Sequence, residues 1–448
     1  IQSCISSLQS LSMRLLCLLV VLCTLCGVAF SNDTISGVNL GGWLLIEEWM
    51  FSFGMFDRVD ELYDTPQGVV MPPLLPDGFG QNWFGEGDLV YKLVQQFGED
   101  SAIEVIEAHR DEYITDDDLM LMRLAGIEAV RVPLGWWALV DECDAEEAVV
   151  ITDPAHADKQ FVTVPRPYLL EQISRIVDNG LEVLLDIHAF PGGSTEGSYN
   201  GIFPADPVFF TSDDLMAQGF DIVTNLCDLY LDLPASTRAG VTGFTLMNEP
   251  AQGLGWQSDF MQAWLRSATD IYRQKIANFV SDVPKLYTNL IGNSITNEAM
   301  LIWMDDTFTE EELADWAVLD VHSYYAWDWP ASGCYDGSCA YECSDSATAE
   351  GLDHIHDIVW DTAEYTHTYF VANGTVPMVA CTEYSLATLN LSNTACRSKP
   401  ILDEMYYNQL LGFEEQGLYA SFFWTWRMPY GGTHEYAWSL KYYLGLGH

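Results

Sequence analysis

The 448-residue chain reads as an α/β protein, a single-domain (β/α)8 TIM barrel preceded by a leader. Three observations predict this. Eight short apolar, β-rich runs follow the leader, helix-like patterns separate most of them, and polar or aromatic residues stand at the ends of seven of the eight. Strands covered by helices are buried on both faces and read as continuous apolar runs. Strand–helix alternation eight times over is the pattern of a closed parallel barrel. With 49% hydrophobic and 13% aromatic residues the chain can fill one large core, and no linker or repeat divides it.

The elements follow in chain order. Met13-Arg14 precedes "LLCLLVVLCTLCGVAF", an apolar run of 16 residues, and then Ser31-Asn32-Asp33. A positive start, a short apolar core and a small-residue exit make a secretory signal peptide; the run is short for a bilayer span. Residues 1–31 are therefore expected to be a leader with its start at Met13, and 32–448 the barrel domain. The expected location is extracellular or in a cell wall, with no membrane attachment once the signal is removed. Asn32, Asn373 and Asn390 open N-glycosylation sequons. Four of the 11 cysteines leave with the leader, and an odd number remains, so at least one stays free. Cys381, inside "VPMVACTEY", is the candidate. The cluster "CYDGSCAYEC" (334–343) lacks paired CxxC spacing, which favours disulfides over zinc.

The expected strands are 38–45, 129–136, 181–189, 241–249, 285–292, 316–325, 377–384 and 418–426. The helix over 114–126 opens at Thr115 as a cap, puts three Asp in its first turn and closes at Gly126. The helix over 166–180 closes in Asn-Gly. The segment 51–85 has no period and would be a long loop after the first strand.

Strand four, "GFTLMNEP", ends its apolar run in Asn248, Glu249 and Pro250. A strand end meeting water explains one such Glu. The other strand ends make that explanation insufficient. Strand one leads to Glu47 and Glu48, strand two carries Arg131, strand three ends in His188, strand six in His322 and Tyr324, strand seven in Glu383, and strand eight in Trp424 and Trp426. In a barrel these converge on one cleft. Two carboxylates above an aromatic floor suit glycoside hydrolysis, one protonating the leaving oxygen and the other attacking the anomeric carbon. Arg131 would keep one carboxylate ionised, and nearby negative charge would keep the other protonated.

Net charge is −47, from 65 acidic and 18 basic residues, which disfavours nucleic acid and acidic polysaccharides as partners. The charge pattern offers no ligand cluster for a metal, and no cofactor is expected. "HIH" at 354–356 is too isolated to suggest one.

The motifs "FTLMNEP", "CTEY", "RVPLGWWAL", "LLDIHAFPGG", "VHSYYAW" and "FFWTWR" together resemble glycoside hydrolase family 5. "GVNLGGWLLIEEWM" is similar to the start of its fungal-type exo-β-1,3-glucanases. The resemblance runs from about Gly37 to the end of the chain. It implies a retaining, metal-free barrel enzyme acting on a β-glucan polysaccharide or oligosaccharide as a monomer. It implies Glu249 as acid/base, Glu383 as nucleophile and Asn248 as a partner of the sugar 2-hydroxyl. Arg131 and Tyr324 would support Glu383, and His188 and His322 would bound the innermost subsite. Trp426 would be its floor, in preference to Trp424, and Glu47 would bind the terminal sugar of an exo-acting pocket. Trp327 would stand at the entrance, Tyr199 would replace an entrance Phe, and Asn200 would keep its place beside it. The loop "HAFPGGSTEGSYNG" departs from the family pattern, which leaves linkage preference open. An endo-acting β-glucanase, cellulase or mannanase, a β-1,6-glucanase, a metal-dependent hydrolase and a non-catalytic glucan-binding barrel are the alternatives.

Overall fold

The computed structural model describes residues 34–51, 83–251, 253–255, 258–289, 297–326, 367–372, 376–388, 394–428 and 435–447, with isolated positions between them. The leader, the three sequon asparagines, Trp327, Cys334, Cys339 and Cys343 lie outside the described residues.

The described residues form ten strands: β1 (Ile35–Asn39), β2 (Ala129–Gly135), β3 (Val150–Thr152), β4 (Gln160–Val162), β5 (Glu182–Ala189), β6 (Val241–Thr245), β7 (Lys285–Asn289), β8 (Ala317–Tyr325), β9 (Val379–Thr388) and β10 (Ala420–Phe423). Eight close a barrel in the order β1-β10-β9-β8-β7-β6-β5-β2, every neighbour parallel. The expected fold class is met. The antiparallel β3–β4 hairpin was not expected. Three-residue strands carry too short an alternation to stand out in a sequence.

Boundaries moved where turns intervene. The first strand was expected at 38–45 but ends at Asn39. Gly42, at φ 77, turns the chain there, and its carbonyl meets His109 Nε2 at 2.7 Å. The last strand stops at Phe423, so Trp424 and Trp426 lie beyond it.

Strand alternation sorts the barrel interior into layers. At the bottom, Ala129, Leu184, Tyr287, Val318, Ala380, Ala420 and Phe422 form an apolar cluster. A Cβ on Gly37 would stand 2.3 Å from Phe422, and one on Gly243 2.5 Å from Tyr287, so both glycines make room for these rings. Two residues further along the strands the interior turns polar: Asn39, Arg131, Asp186, Asn289, Asp320 and Thr382 are all buried. A register shift between Val321 and His322 brings His322 level with Glu383.

Thr115 caps its helix in a reciprocal capping box with Asp118. Asp118 does more than cap. Its carboxylate also accepts from Trp426 Nε1 at 2.9 Å and Lys441 Nζ at 2.8 Å, with Arg427 Nη1 at 3.6 Å. It thereby ties the helix Asp116–Leu124 to the chain after β10. Of the described cysteines, Cys143, Cys227 and Cys381 are buried and free, and Cys396 is disulfide-bonded. Cys381 is thus one of three. Among the described residues no helix is long and apolar enough to cross a membrane.

Replacing Asp118 removes a cap and leaves a buried indole N–H and two cations short of their acceptor. Asp118→Ala should lower unfolding free energy by about 2–4 kcal/mol, visible as a lower denaturant midpoint with the slope unchanged. A loss below about 0.5 kcal/mol would show that this link between helix and barrel end is dispensable.

Candidate active site

The site grows upward from the polar layer. Arg131 is wholly buried on β2. Its Nη1 donates to Asn39 Oδ1 at 2.9 Å and to Glu383 Oε1 at 2.7 Å, and its Nη2 to Asn248 Oδ1 at 2.7 Å. Asp186 Oδ2 lies 3.0 Å from Nη2. One planar guanidinium thus joins side chains from β1, β5, β9 and the end of β6. Asp186 also holds His188 Nδ1 at 2.7 Å, and His188 Nε2 lies 3.2 Å from Asn248 Nδ2.

A second anchor is Asp320. Its carboxylate accepts from the backbone N–H and the hydroxyl of Thr382 at 3.0 and 2.6 Å, and from Asn289 at 3.3 Å. His322 Nε2 lies 3.2 Å from Thr382 Oγ1 and 3.5 Å from Asp320 Oδ2. The other ring nitrogen, Nδ1, meets Glu249 Oε1 at 2.6 Å.

Glu249 and Glu383 face one another across this frame. One oxygen of Glu249, one ring nitrogen of His322 and one oxygen of Glu383 lie within 4.8 Å of one another. Glu383 accepts from Arg131 on Oε1 and from the Tyr324 hydroxyl on Oε2 at 2.7 Å. Glu249 accepts from the Tyr199 hydroxyl on Oε2 at 2.9 Å. Its backbone has φ 36, a left-handed conformation costly for a residue with a side chain. A solvated strand end has no need of such a conformation, and Glu249 is only 8% exposed.

The electrostatics differ from the sequence expectation at Glu249. Burial alone would raise its pKa. The hydrogen bond and charge of His322, the Tyr199 hydroxyl and the charge of His188 outweigh burial and hold it below the ordinary carboxylate value. Burial opposes charge on His322 too, but Glu383, Asp320 and the bond to Glu249 raise it to about 10. At neutral pH the pair is a carboxylate and an imidazolium, so nearby negative charge does not keep Glu249 protonated. With both ring nitrogens carrying hydrogens, His322 is a donor here.

Glu47 lies close enough to couple with His188, Glu383 and Glu249, and burial raises its pKa to about 7. Trp49 Nε1 donates to its Oε2 at 2.7 Å, while the buried Oε1 has no partner.

Two expected residues have other places. Asn200 braces its own loop: Nδ2 donates to the Thr195 carbonyl at 2.7 Å, and Oδ1 accepts from the N–H groups of Ile202 and Phe203. Trp426 turns to Asp118 and is fully buried. Trp424 is the tryptophan on the site, its ring stacked on His188 at 5.5 Å and 22°. In "FFWTW" two tryptophans alternate, and only the end of β10 at Phe423 decides between them. Asn39, Asp186, Asp320 and Thr382 were not singled out, because strand alternation marks them as interior but not as partners.

No family model matches the chain. Among curated proteins it is similar to a glucan 1,3-beta-glucosidase of Blumeria graminis, 27% identical over 235 residues, 52% of this chain and 44% of that one. It is also similar to one of Candida oleophila, 27% identical over 302 residues, 67% of this chain and 60% of that one. A probable glucan 1,3-beta-glucosidase A of Aspergillus fumigatus is 26% identical over 54% of this chain and 48% of its own length. The chain spans about half the length of the curated relatives it matches. Among solved structures the rutinosidase from Aspergillus niger shares the fold, with TM-score 0.61, 15% identity and coverage of 94% of this chain and 99% of that one. A GH5-4 broad specificity endoglucanase from an uncultured bacterium has TM-score 0.50 at 13% identity, over 89% and 87% of the two chains. In sequence the chain is thus similar to glucan 1,3-beta-glucosidases, and its barrel fold is shared with these solved structures.

Because Glu47 is raised above its unfolded value, the folded state favours its neutral form. The stability this contributes is fully present below about pH 4.5 and is lost as pH rises through about 7. Glu47→Gln should therefore unfold later than the native protein at pH 8, by at most about 3 kcal/mol, and no later at pH 4. Glu86, raised to about 7 by burial, keeps its own share of the slope. Equal stability of the two proteins at pH 8 would contradict a buried Glu47 whose Oε1 lacks a partner.

The two tryptophans separate in the same way. Trp424→Ala should raise KM for a glucan at least tenfold, and because the ring is buried it should also lower stability by about 3–5 kcal/mol. Trp426→Phe should leave KM alone and lower stability by about 1–3 kcal/mol, since it strips Asp118 of a buried donor. Titration of both variants with laminarin, beside thermal melts, checks the pair; the reverse pattern would restore Trp426 to the site.

Proposed function

We propose that this chain is a secreted, retaining glycoside hydrolase that removes glucose from the non-reducing ends of β-1,3-glucan. The observation that carries this is the paired carboxylates: oxygens of Glu249 and Glu383 within 4.8 Å, each with its own donors. Retaining enzymes hold the two groups roughly 5 Å apart, so the second carboxylate attacks directly without an intervening water. The similarity to glucan 1,3-beta-glucosidases supports the substrate class.

The neighbours fit two different tasks. Arg131 and Tyr324 each donate to one oxygen of Glu383 and fix its orientation, which suits a nucleophile. Glu249 sits in a proton-sharing contact with His322 and serves as acid and then as base. In the first step the proton held by His322 passes through Glu249 to the leaving oxygen as Glu383 bonds to the anomeric carbon and the glycosidic bond breaks, which leaves His322 neutral. In the second, Glu249 takes a proton from the water that displaces Glu383. Trp424 and His188 supply a flat wall for the sugar, and Asn248, fixed by Arg131, presents its amide to the 2-hydroxyl.

Glu47 supports attack at chain ends. Its unpartnered oxygen can accept from hydroxyls that only a terminal sugar offers. A chain continuing past it would leave that buried group unsatisfied, at about 1–3 kcal/mol, enough to favour ends over interiors by roughly tenfold. The leader, the extracellular location and the action without metal or cofactor belong to the same proposal.

Laminarin digestion tests it. Glucose should be the first product, appearing in the β configuration by proton NMR before mutarotation. Longer oligosaccharides at early times would replace exo by endo attack, and α-glucose would overturn retention.

A further inference from the structure

Both oxygens of Glu249 are taken. Oε1 meets His322 Nδ1 at 2.6 Å, and Oε2 accepts from the Tyr199 hydroxyl at 2.9 Å. His322 is held from its far side by Thr382 and Asp320, so its bond to Oε1 is committed. The oxygen left to exchange a proton with a substrate is Oε2, and Tyr199 stands on it. We infer that Tyr199 is a positioning residue for Glu249: its hydroxyl selects Oε2 as the proton-handling oxygen and favours the ionised carboxylate. This rests on the proposed acid/base role of Glu249.

The loop that carries Tyr199 is built to hold it there. Asn200, next in sequence, engages both ends of its amide, Nδ2 with Thr195 and Oδ1 with Ile202 and Phe203. Gly197 and Gly201, at φ 116 and 79, give the loop bends that other residues resist. The Gly201 carbonyl accepts from Gly87 N–H at 2.9 Å, and the Ser194 carbonyl from Ala251 N–H at 2.9 Å, two residues past Glu249. The Tyr199 ring packs edge-on to His188, centroids 5.6 Å apart at 72°. The ring is therefore held by more than the hydroxyl, which meets Glu249 and also contacts Thr195.

The physical effect has a definite sign. A phenol O–H donating to Oε2 stabilises the carboxylate, and it loses its acceptor when that oxygen is protonated. The other groups facing Glu249 are His322 from β8, His188 from β5, Glu383 from β9, Tyr324 from β8 and Glu47 from beyond β1. The cations pull the same way as Tyr199 and the carboxylates oppose it. Removing only the hydroxyl leaves all of these in place, so Glu249 becomes harder to ionise.

The pH profile of kcat/KM for 4-nitrophenyl β-glucoside tests this. Tyr199→Phe should move the basic limb up by about one pH unit, with the acidic limb and the melting temperature unchanged. A limb that stays where it is, or a uniform loss at every pH, would overturn the proposal and leave Tyr199 a packing residue. Glu249→Gln, followed on 2,4-dinitrophenyl β-glucoside, separates the two readings. If it erases the basic limb, Glu249 is the acid/base and the Tyr199 result stands by itself. If the limb survives, the acid/base assignment fails and the inference about Tyr199 fails with it.

Discussion

Arg131 is the constraint on which the site depends. A guanidinium with no exposure inside a barrel is tolerable only if its N–H groups are met by acceptors of matching charge. Here Nη1 and Nη2 are met by Asn39, Asp186, Asn248 and Glu383, and only Nε is left without a partner among the described residues. Each comes from a different strand or strand end, so the ion pair is satisfied only when the barrel is closed in its proper register. The reverse also holds: with the arginine in place, Glu383 and Asn248 have no freedom to turn away from the cleft. Removing it would leave acceptors of two charges buried together, a loss on the order of 3–5 kcal/mol.

The same frame gives two identical side chains different surroundings. Glu383 receives a fixed cation and a phenol, Glu249 a titratable imidazole and a phenol. A fixed cation keeps a carboxylate available as a nucleophile. An imidazole that shares a proton lets its partner gain and lose one. Asp320 makes that difference durable by holding Thr382, and through it the far nitrogen of His322. The strained backbone at Glu249 is a local cost that the surrounding hydrogen bonds offset.

Much of this was legible in the chain. "AVLDVHSYY" steps inward by twos through Val318, Asp320, His322 and Tyr324, from apolar floor to reacting group. Glu249 and Glu383 stood out because a charge closed an apolar run. The remainder depended on information a single sequence does not carry. Whether Trp424 or Trp426 faces the cleft turns on where β10 stops, and Asp118, some 300 residues away in the chain, claims the second. Asn200 was expected beside the entrance on the family resemblance, and the structure engages both ends of its amide in closing its own loop. The ionised state of Glu249 follows from a 2.6 Å contact to His322, set by a register shift that no pattern of residue types announces.

The claim that the two carboxylates hold separate offices, with Glu383 the one that bonds to sugar, is tested most directly by trapping. A 2-deoxy-2-fluoro-β-glucosyl fluoride slows the second step and lets a covalent glycosyl-enzyme accumulate. Peptide mass mapping of the inactivated protein should then find one fluoroglucosyl group per chain, on Glu383. A label on Glu249 or Glu47, or inactivation with no covalent adduct, would contradict the account.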